Sequence, residues 1–204
     1  LCTVAALTAL GGQTGPQLSE VVDRMVAETF RAGDVLRRLR DFFRTGATRL
    51  EQVRIAELLG SVTASMAEKA KQQGVELRLD EVPDFILLAD RLQIEVVLRN
   101  LLGNAFDALA DQPAGARRIW MTVHPEGAGR LCVRIEDSGP GISSANAERM
   151  FEAFNTSKES GLGLGLVISR AIVEAHGGHL WAEVADHGFF RLILPMEGKA
   201  ENAS

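Results

Sequence analysis

Cysteine is scarce in this 204-residue chain: Cys2 and Cys132 lie far apart and match no metal-ligand spacing, so free thiols in a reducing compartment are the reading. No apolar run reaches the roughly 20 residues needed to span a bilayer, and no signal-peptide pattern is present, which makes this a soluble piece. Basic blocks are missing too. With 22 Lys and Arg against 27 Asp and Glu the net charge is −5, which argues against duplex nucleic acid as the main partner, because neutralising phosphates takes clustered cations. Internal repeats and low-complexity segments are absent. GxxxxGK[ST] occurs nowhere, and the spacing Gly161, Gly163, Gly165 is not the dinucleotide pattern, so both common nucleotide folds fit poorly. What remains is ordinary for a folded globular chain, 46% hydrophobic and 24% charged, long enough for one large domain or two small ones.

The stretch from Asp137 to Leu166 stands out. It opens with Asp137-Ser138-Gly139-Pro140-Gly141-Ile142, closes with Gly161-Leu162-Gly163-Leu164-Gly165-Leu166, and holds Phe151-Glu152-Ala153-Phe154-Asn155-Thr156-Ser157-Lys158 between them. Glycines let a backbone come close to a ligand and adopt positive φ, so that several N–H groups point at one anion. The second cluster runs into an apolar segment that reads as a helix, which would place its glycines at a partially positive helix N-terminus. Taken singly, each cluster reads equally well as a C-cap followed by a flexible loop.

Upstream, an apolar helical run from Leu92 to Leu109 carries Asn100 and Asn104, four apart on one face. Asn on an apolar helix is costly unless its amide finds partners, so the pair points to a task. The order Asn-box, Asp-x-Gly-x-Gly, Phe-box and Gly-x-Gly-x-Gly resembles the GHKL-type ATP-binding domain of bacterial sensor histidine kinases of two-component systems, a fold shared with gyrase and MutL.

The N-terminal part has a different pattern. Leu1–Leu10 reads as the end of a helix and Gly11–Pro16 as a turn, after which Leu18, Val22, Met25, Thr29, Ala32, Leu36, Leu39 and Phe43 follow alternating spacings of four and three, a coiled-coil seam. Val21, Val35 and Phe42 widen the stripe beyond what one hairpin covers, so a four-helix bundle made by two chains is expected. The run Arg31–Arg40 also resembles the second helix of the dimerisation and phosphotransfer domain of the same kinases. A boundary falls near Thr45–Thr48, giving a helical hairpin over 1–45 and an ATP-binding domain over 46–204.

Within the second part the patterns predict strands at Arg49–Arg54, Val75–Leu79, Phe85–Ala89, Arg117–His124, Leu131–Asp137, His179–Val184 and Phe189–Leu194. Helices are predicted at Ile55–Gln73, Asp90–Leu109 and Leu164–His176, and a hairpin turn at Pro125–Gly129. The fold class is α+β: a two-layer α/β sandwich of the Bergerat type, with a mixed, antiparallel-leaning sheet of about five strands. Phe151 and Phe154, spaced i, i+3, are expected to pack in the core from a short helix.

The resemblance implies roles residue by residue. Asn104 would offer its amide oxygen to Mg²⁺, and Asn100 would either contact the triphosphate or serve a structural end. Asp137 would accept the exocyclic amino group of adenine, with Gly139 and Gly141 lying against the base and Ile142 giving apolar contact. Thr156, Lys158, Gly161, Leu162, Gly163, Leu164 and Gly165 would line the phosphates from a lid, Lys158 being either a phosphate contact or a solvated cation. Asp107 stands in this site where many relatives carry Lys or Arg, and Phe189 follows Gly188 where Thr is common. ATP and Mg²⁺ are thus the implied cofactors, with a homodimer through 1–45 and a response-regulator receiver domain as partners.

The phosphoacceptor is missing. Leu1–Leu10 contains no His, and His124, His176, His179 and His187 read as surface or capping residues, so no catalytic residue is assigned within the chain. Because the chain starts at Leu1 in an apolar segment, the acceptor His is expected upstream in a longer, cytoplasmic or membrane-anchored parent. A non-catalytic, nucleotide-responsive dimeric module is the alternative.

Overall fold

The computed structural model describes residues 49–127, 129–155 and 163–196. The chain divides into two units, Leu1–Arg44 and Thr45–Ser204, and every described residue belongs to the second. The hairpin and seam expected over 1–45, and Cys2 with them, lie outside the described residues.

Apolar spacing sets the helices. Ile55, Leu58, Leu59 and Val62 repeat at helical intervals and are buried along α1 (Ile55–Gln73). The helix stops at Gly74, whose φ of 63° takes the left-handed turn that glycine adopts cheaply, with its N–H on the Ala70 and Lys71 carbonyls. In α2 (Arg91–Ala108) the Asp90 side chain caps the first turn by accepting the Gln93 N–H at 3.1 Å, and Ile94, Val97, Leu98, Leu101, Leu102 and Ala105 are buried. A further helix, α3 (Ser144–Arg149), is short, and α4 (Gly165–Ala175) buries Ser169, Ile172 and Val173.

The strands are β1 (Glu51–Arg54), β2 (Glu76–Leu79), β3 (Ile86–Ala89), β4 (Arg118–Pro125), β5 (Arg130–Asp137), β6 (His179–Ala182) and β7 (Gly188–Pro195). Five of them form one sheet in the order β2-β4-β5-β7-β6, in which β2 and β4 run parallel and the other pairs antiparallel. The sheet is mixed and five-stranded, as the sequence predicts. The remaining two, β1 and β3, pair with each other in a separate antiparallel ribbon. Residues alternate in β4, β5 and β7 so that Ile119, Met121, Leu131, Val133, Ile135, Phe190, Leu192 and Leu194 are buried under the helical layer of α1, α2 and α4. Cys132 is a buried free thiol.

One polar link crosses this interior. His176, at the C-terminal end of α4, is buried; its Nδ1–H donates to the Ile172 carbonyl at 2.7 Å, and its Nε2 accepts the Asp90 backbone N–H at 3.0 Å. The neutral ring is therefore fixed in one tautomer. Asp90 in turn takes the Arg49 N–H at 3.0 Å, so three segments meet at one buried node. Replacing His176 with Ala strands the Asp90 N–H, and the unfolding free energy should fall by about 1–3 kcal/mol, read as a lower urea midpoint at unchanged m-value.

Candidate functional site

Strand β5 ends on Asp137, and its carboxylate is only 2% exposed. The wall around it is glycine. Gly139 donates its N–H to Oδ1 at 2.9 Å, and a Cβ on Gly139 would lie 2.6 Å from that oxygen. Gly188, opposite Asp137 in the β5–β7 register, gives a second backbone N–H, and a Cβ there would fall 1.9 Å from Oδ2. Gly141 meets the other side of the same loop, where a Cβ would lie 2.1 Å from the Ala185 carbonyl. An antiparallel bridge between Ile142 and Ala185 holds the two loops together, with N–H to O distances of 2.9 and 3.3 Å.

Neither Gly139 nor Gly141 has a positive φ, so the requirement at both is close approach of chain to chain. Burial pushes the Asp137 carboxyl above the usual range, against the opposing pull of the Gly139 N–H, the His187 charge and the Gly188 N–H. A desolvated acceptor of this kind favours a ligand that brings its own N–H donor.

The α2 face carries the other candidates. Asn100, Gly103, Asn104 and Asp107 follow helical spacing on one side, and a Cβ at Gly103 would meet nothing within 4 Å. Asn100 has a structural bond: its amide donates to the Gly165 carbonyl at 3.4 Å and the buried Ser169 hydroxyl at 3.3 Å. The first turn of α4 is thereby held beside the Asn face. Among the described residues, no side-chain cap closes the start of that helix at Leu164.

Between the loops, the Phe-box divides. Phe151 is buried beneath Arg170, whose guanidinium lies 3.6 Å from the ring centroid, as core packing predicts. Phe154 is 73% exposed with φ 64°, which overturns the core expectation for it. The helical phase breaks there because α3 ends at Arg149 and the chain turns through Phe154. Gly163 has φ 64°, and a Cβ on it would fall 2.7 Å from the Asn155 nitrogen. The chain thus meets itself at Asn155 and Gly163. Thr156, Lys158, Gly161 and Leu162 lie outside the described residues.

His124 and His179 are exposed, as expected, His124 meeting Thr122 Oγ1 at 3.0 Å and His179 lying 5.1 Å from the Trp181 ring, whereas His187 is half-buried between Asp186 and Glu136. His176 is a buried cap. Sequence reading missed Gly188 as a wall of the Asp137 pocket, since the signal available there, a glycine opening a strand, does not say which side chain it faces.

Fold and site together define a class: a five-stranded mixed sheet under three helices, with a glycine-walled carboxylate at one strand end and a polar helix face beside an uncapped helix N-terminus. This chain belongs to the family described as histidine kinase-, DNA gyrase B-, and HSP90-like ATPase, whose model matches residues 89–198. It is 38% identical over 184 residues to the sensor protein FixL of Bradyrhizobium diazoefficiens, covering 88% of this chain and 36% of that one. Among solved structures, the catalytic domain of the histidine kinase ThkA matches with a TM-score of 0.63 at 30% identity, over 72% of this chain and 95% of that one. ThkA in complex with the response regulator TrrA shares the fold, with a TM-score of 0.70 at 23% identity over 97% of this chain and 57% of that one. The chain thus spans about a third of its curated relative FixL, and the described unit has the fold of a sensor histidine kinase catalytic domain. No helix among the described residues is long and apolar enough to cross a membrane.

Two outcomes test this geometry. Gly188→Ala drives a methyl into the Asp137 carboxylate and should lower stability by about 1–3 kcal/mol by denaturant titration. The raised Asp137 pKa means that the folded state holds this proton more tightly than the unfolded chain does. Its stability contribution is complete below the unfolded value of about 3.9 and is lost as pH rises through the higher folded value. The melting temperature of the wild type minus that of Asp137→Asn should therefore rise as pH is lowered from 7 towards 4.

Proposed function

We propose that residues 46–204 bind ATP with Mg²⁺ and pass its γ-phosphoryl group to a His upstream of this chain, the parent being a sensor histidine kinase of a two-component system. The observation that carries the proposal is the buried Asp137 carboxylate between Gly139, Gly141 and Gly188, a site matched to one N–H donor. Adenine offers that donor in its exocyclic amino group. Guanine presents a carbonyl at the same place, and an ionised carboxylate repels it. Gly139, Gly141 and Ile142 border the base.

Asn104 on α2 would hold the metal through its amide oxygen, a donor suited to a hard cation that is bound largely through phosphates. When bound, Mg²⁺ neutralises charge on the phosphate oxygens. Asp107 lies one turn further along the same helix at the edge of the phosphates. The first N–H groups of α4, with Gly163, Leu164 and Gly165, face the phosphates, joined by Thr156, Lys158, Gly161 and Leu162 from the connecting loop. Positioning and electrostatic stabilisation of an in-line displacement make up the catalysis. The acceptor imidazole is then relieved of its phosphoryl group by an Asp of a response regulator, a partner class that ThkA engages. Residues 1–45 form the dimerising hairpin, and the domain works in the cytoplasm.

Calorimetry of ATP binding with and without Mg²⁺ tests the reading. Asp137→Asn should weaken binding about tenfold or more through loss of a charge-assisted hydrogen bond, and Asn104→Ala should erase most of the difference that Mg²⁺ makes. Unchanged affinity in both variants overturns it.

A further inference from the structure

Helix α4 buries Ser169, Ile172 and Val173, and Ser169 is the polar one among them, at 0% exposure. Alanine would suit that helix position better, because a hydroxyl taken out of water needs a partner. The partner is the half-buried Asn100 of α2, whose Nδ2 donates to Ser169 Oγ at 3.3 Å and to the Gly165 carbonyl at 3.4 Å. That carbonyl settles which way the amide faces: a carbonyl oxygen only accepts, so the NH2 branch of Asn100 has to lie against α4. The Oδ1 branch is thereby turned away from α4.

What the oxygen can meet follows from its chemistry. An amide oxygen accepts hydrogen bonds and donates none, and ionised phosphate oxygens are acceptors as well, so the two do not bond to each other. A cation, or the water that a cation holds, is a partner for it. Asn104 lies four residues further on, one helical turn along the same face of α2. Oxygen donors and retained waters are what Mg²⁺ takes, so two amide oxygens one turn apart suit it, one as ligand and one on its waters.

We propose that Ser169 is a positioning residue for the metal side of the nucleotide site: its buried hydroxyl holds the Asn100 amide in the orientation that presents Oδ1, beside Asn104, to the water shell of the Mg²⁺ that accompanies ATP. This rests on the reading of Asn104 as the metal's amide ligand. Ser169 itself touches neither metal nor nucleotide. Without its hydroxyl the Gly165 carbonyl alone holds the amide, Asn100 samples other rotamers, and the metal-loaded complex loses part of a contact that ATP without metal never uses.

The test is calorimetry of ATP binding to the 204-residue chain, with Mg²⁺ and with EDTA, for wild type, Ser169→Ala, Asn100→Ala, the double variant and Asn104→Ala, with circular dichroism and urea titration to confirm folding. The readout is the factor by which Mg²⁺ strengthens ATP binding. Ser169→Ala should reduce that factor about three- to tenfold, the range of one lost hydrogen bond, and leave affinity in EDTA within about twofold of wild type. In the Asn100→Ala background, where the amide is already gone, adding Ser169→Ala should change the factor no further. An unchanged factor in Ser169→Ala, with Asn104→Ala still erasing it, overturns the inference and leaves the metal reading standing. Equal weakening with and without Mg²⁺ also overturns it, since that marks a brace between helices and nothing more. So does a Ser169→Ala loss that persists undiminished in the Asn100→Ala background. Absence of any Mg²⁺ effect in wild type overturns the metal reading, and the inference with it.

Discussion

The buried Asp137 carboxylate is the constraint on which the site depends. An acidic group with 2% exposure survives in the charged form only where the chain brings donors to it and nothing bulky. Gly139 and Gly188 do both, each offering an N–H and no Cβ, and they come from loops about fifty residues apart. Their meeting requires the β5–β7 register that sets Asp137 against Gly188, and the Ile142–Ala185 bridge that closes the loops behind it. A slip of one residue in β7 would put the Phe189 side chain where Gly188 now stands.

The helical layer answers to a related demand. The helix α4 is tied to the α2 segment at both ends. Asn100 bonds to Gly165 and Ser169 at the N-terminal end, and His176 takes the N–H of Asp90, the α2 cap, at the other. These are polar links inside an apolar layer, and their value lies in register. Leu and Val contacts tolerate small slides, whereas a hydrogen bond between buried groups does not. At Asp137 burial pushes the carboxyl above its usual range, so the ionised form is disfavoured by its own surroundings.

Local patterns were legible. Apolar residues at helical spacing between Arg54 and Gly74 mark α1 with the bounds it has in the structure, Asp90 announces the start of α2, and the Pro125–Gly129 turn joins β4 and β5 as a hairpin. The motif order from Asn100 to Gly165 pointed to the family, and the mixed five-stranded sheet followed. The separate β1–β3 ribbon, the parallel β2–β4 pair and the exposure of Phe154 were not legible. Strand pairing is set by which edges are free once the helices are packed, and Phe154 loses its helical phase to a positive φ that spacing alone does not register.

The sequence by itself determined the elements, their order and the presence of one acidic group among glycines, because propensity, capping and apolar periodicity act over a few residues. Only the tertiary structure decided what those glycines are for. Gly139 and Gly141 make room for neighbouring chain, Gly188 reaches Asp137 from across the sheet, and Asn100 acts as a brace between helices. Such roles are created by contacts between residues distant in sequence, and they exist only after the sheet has chosen its partners.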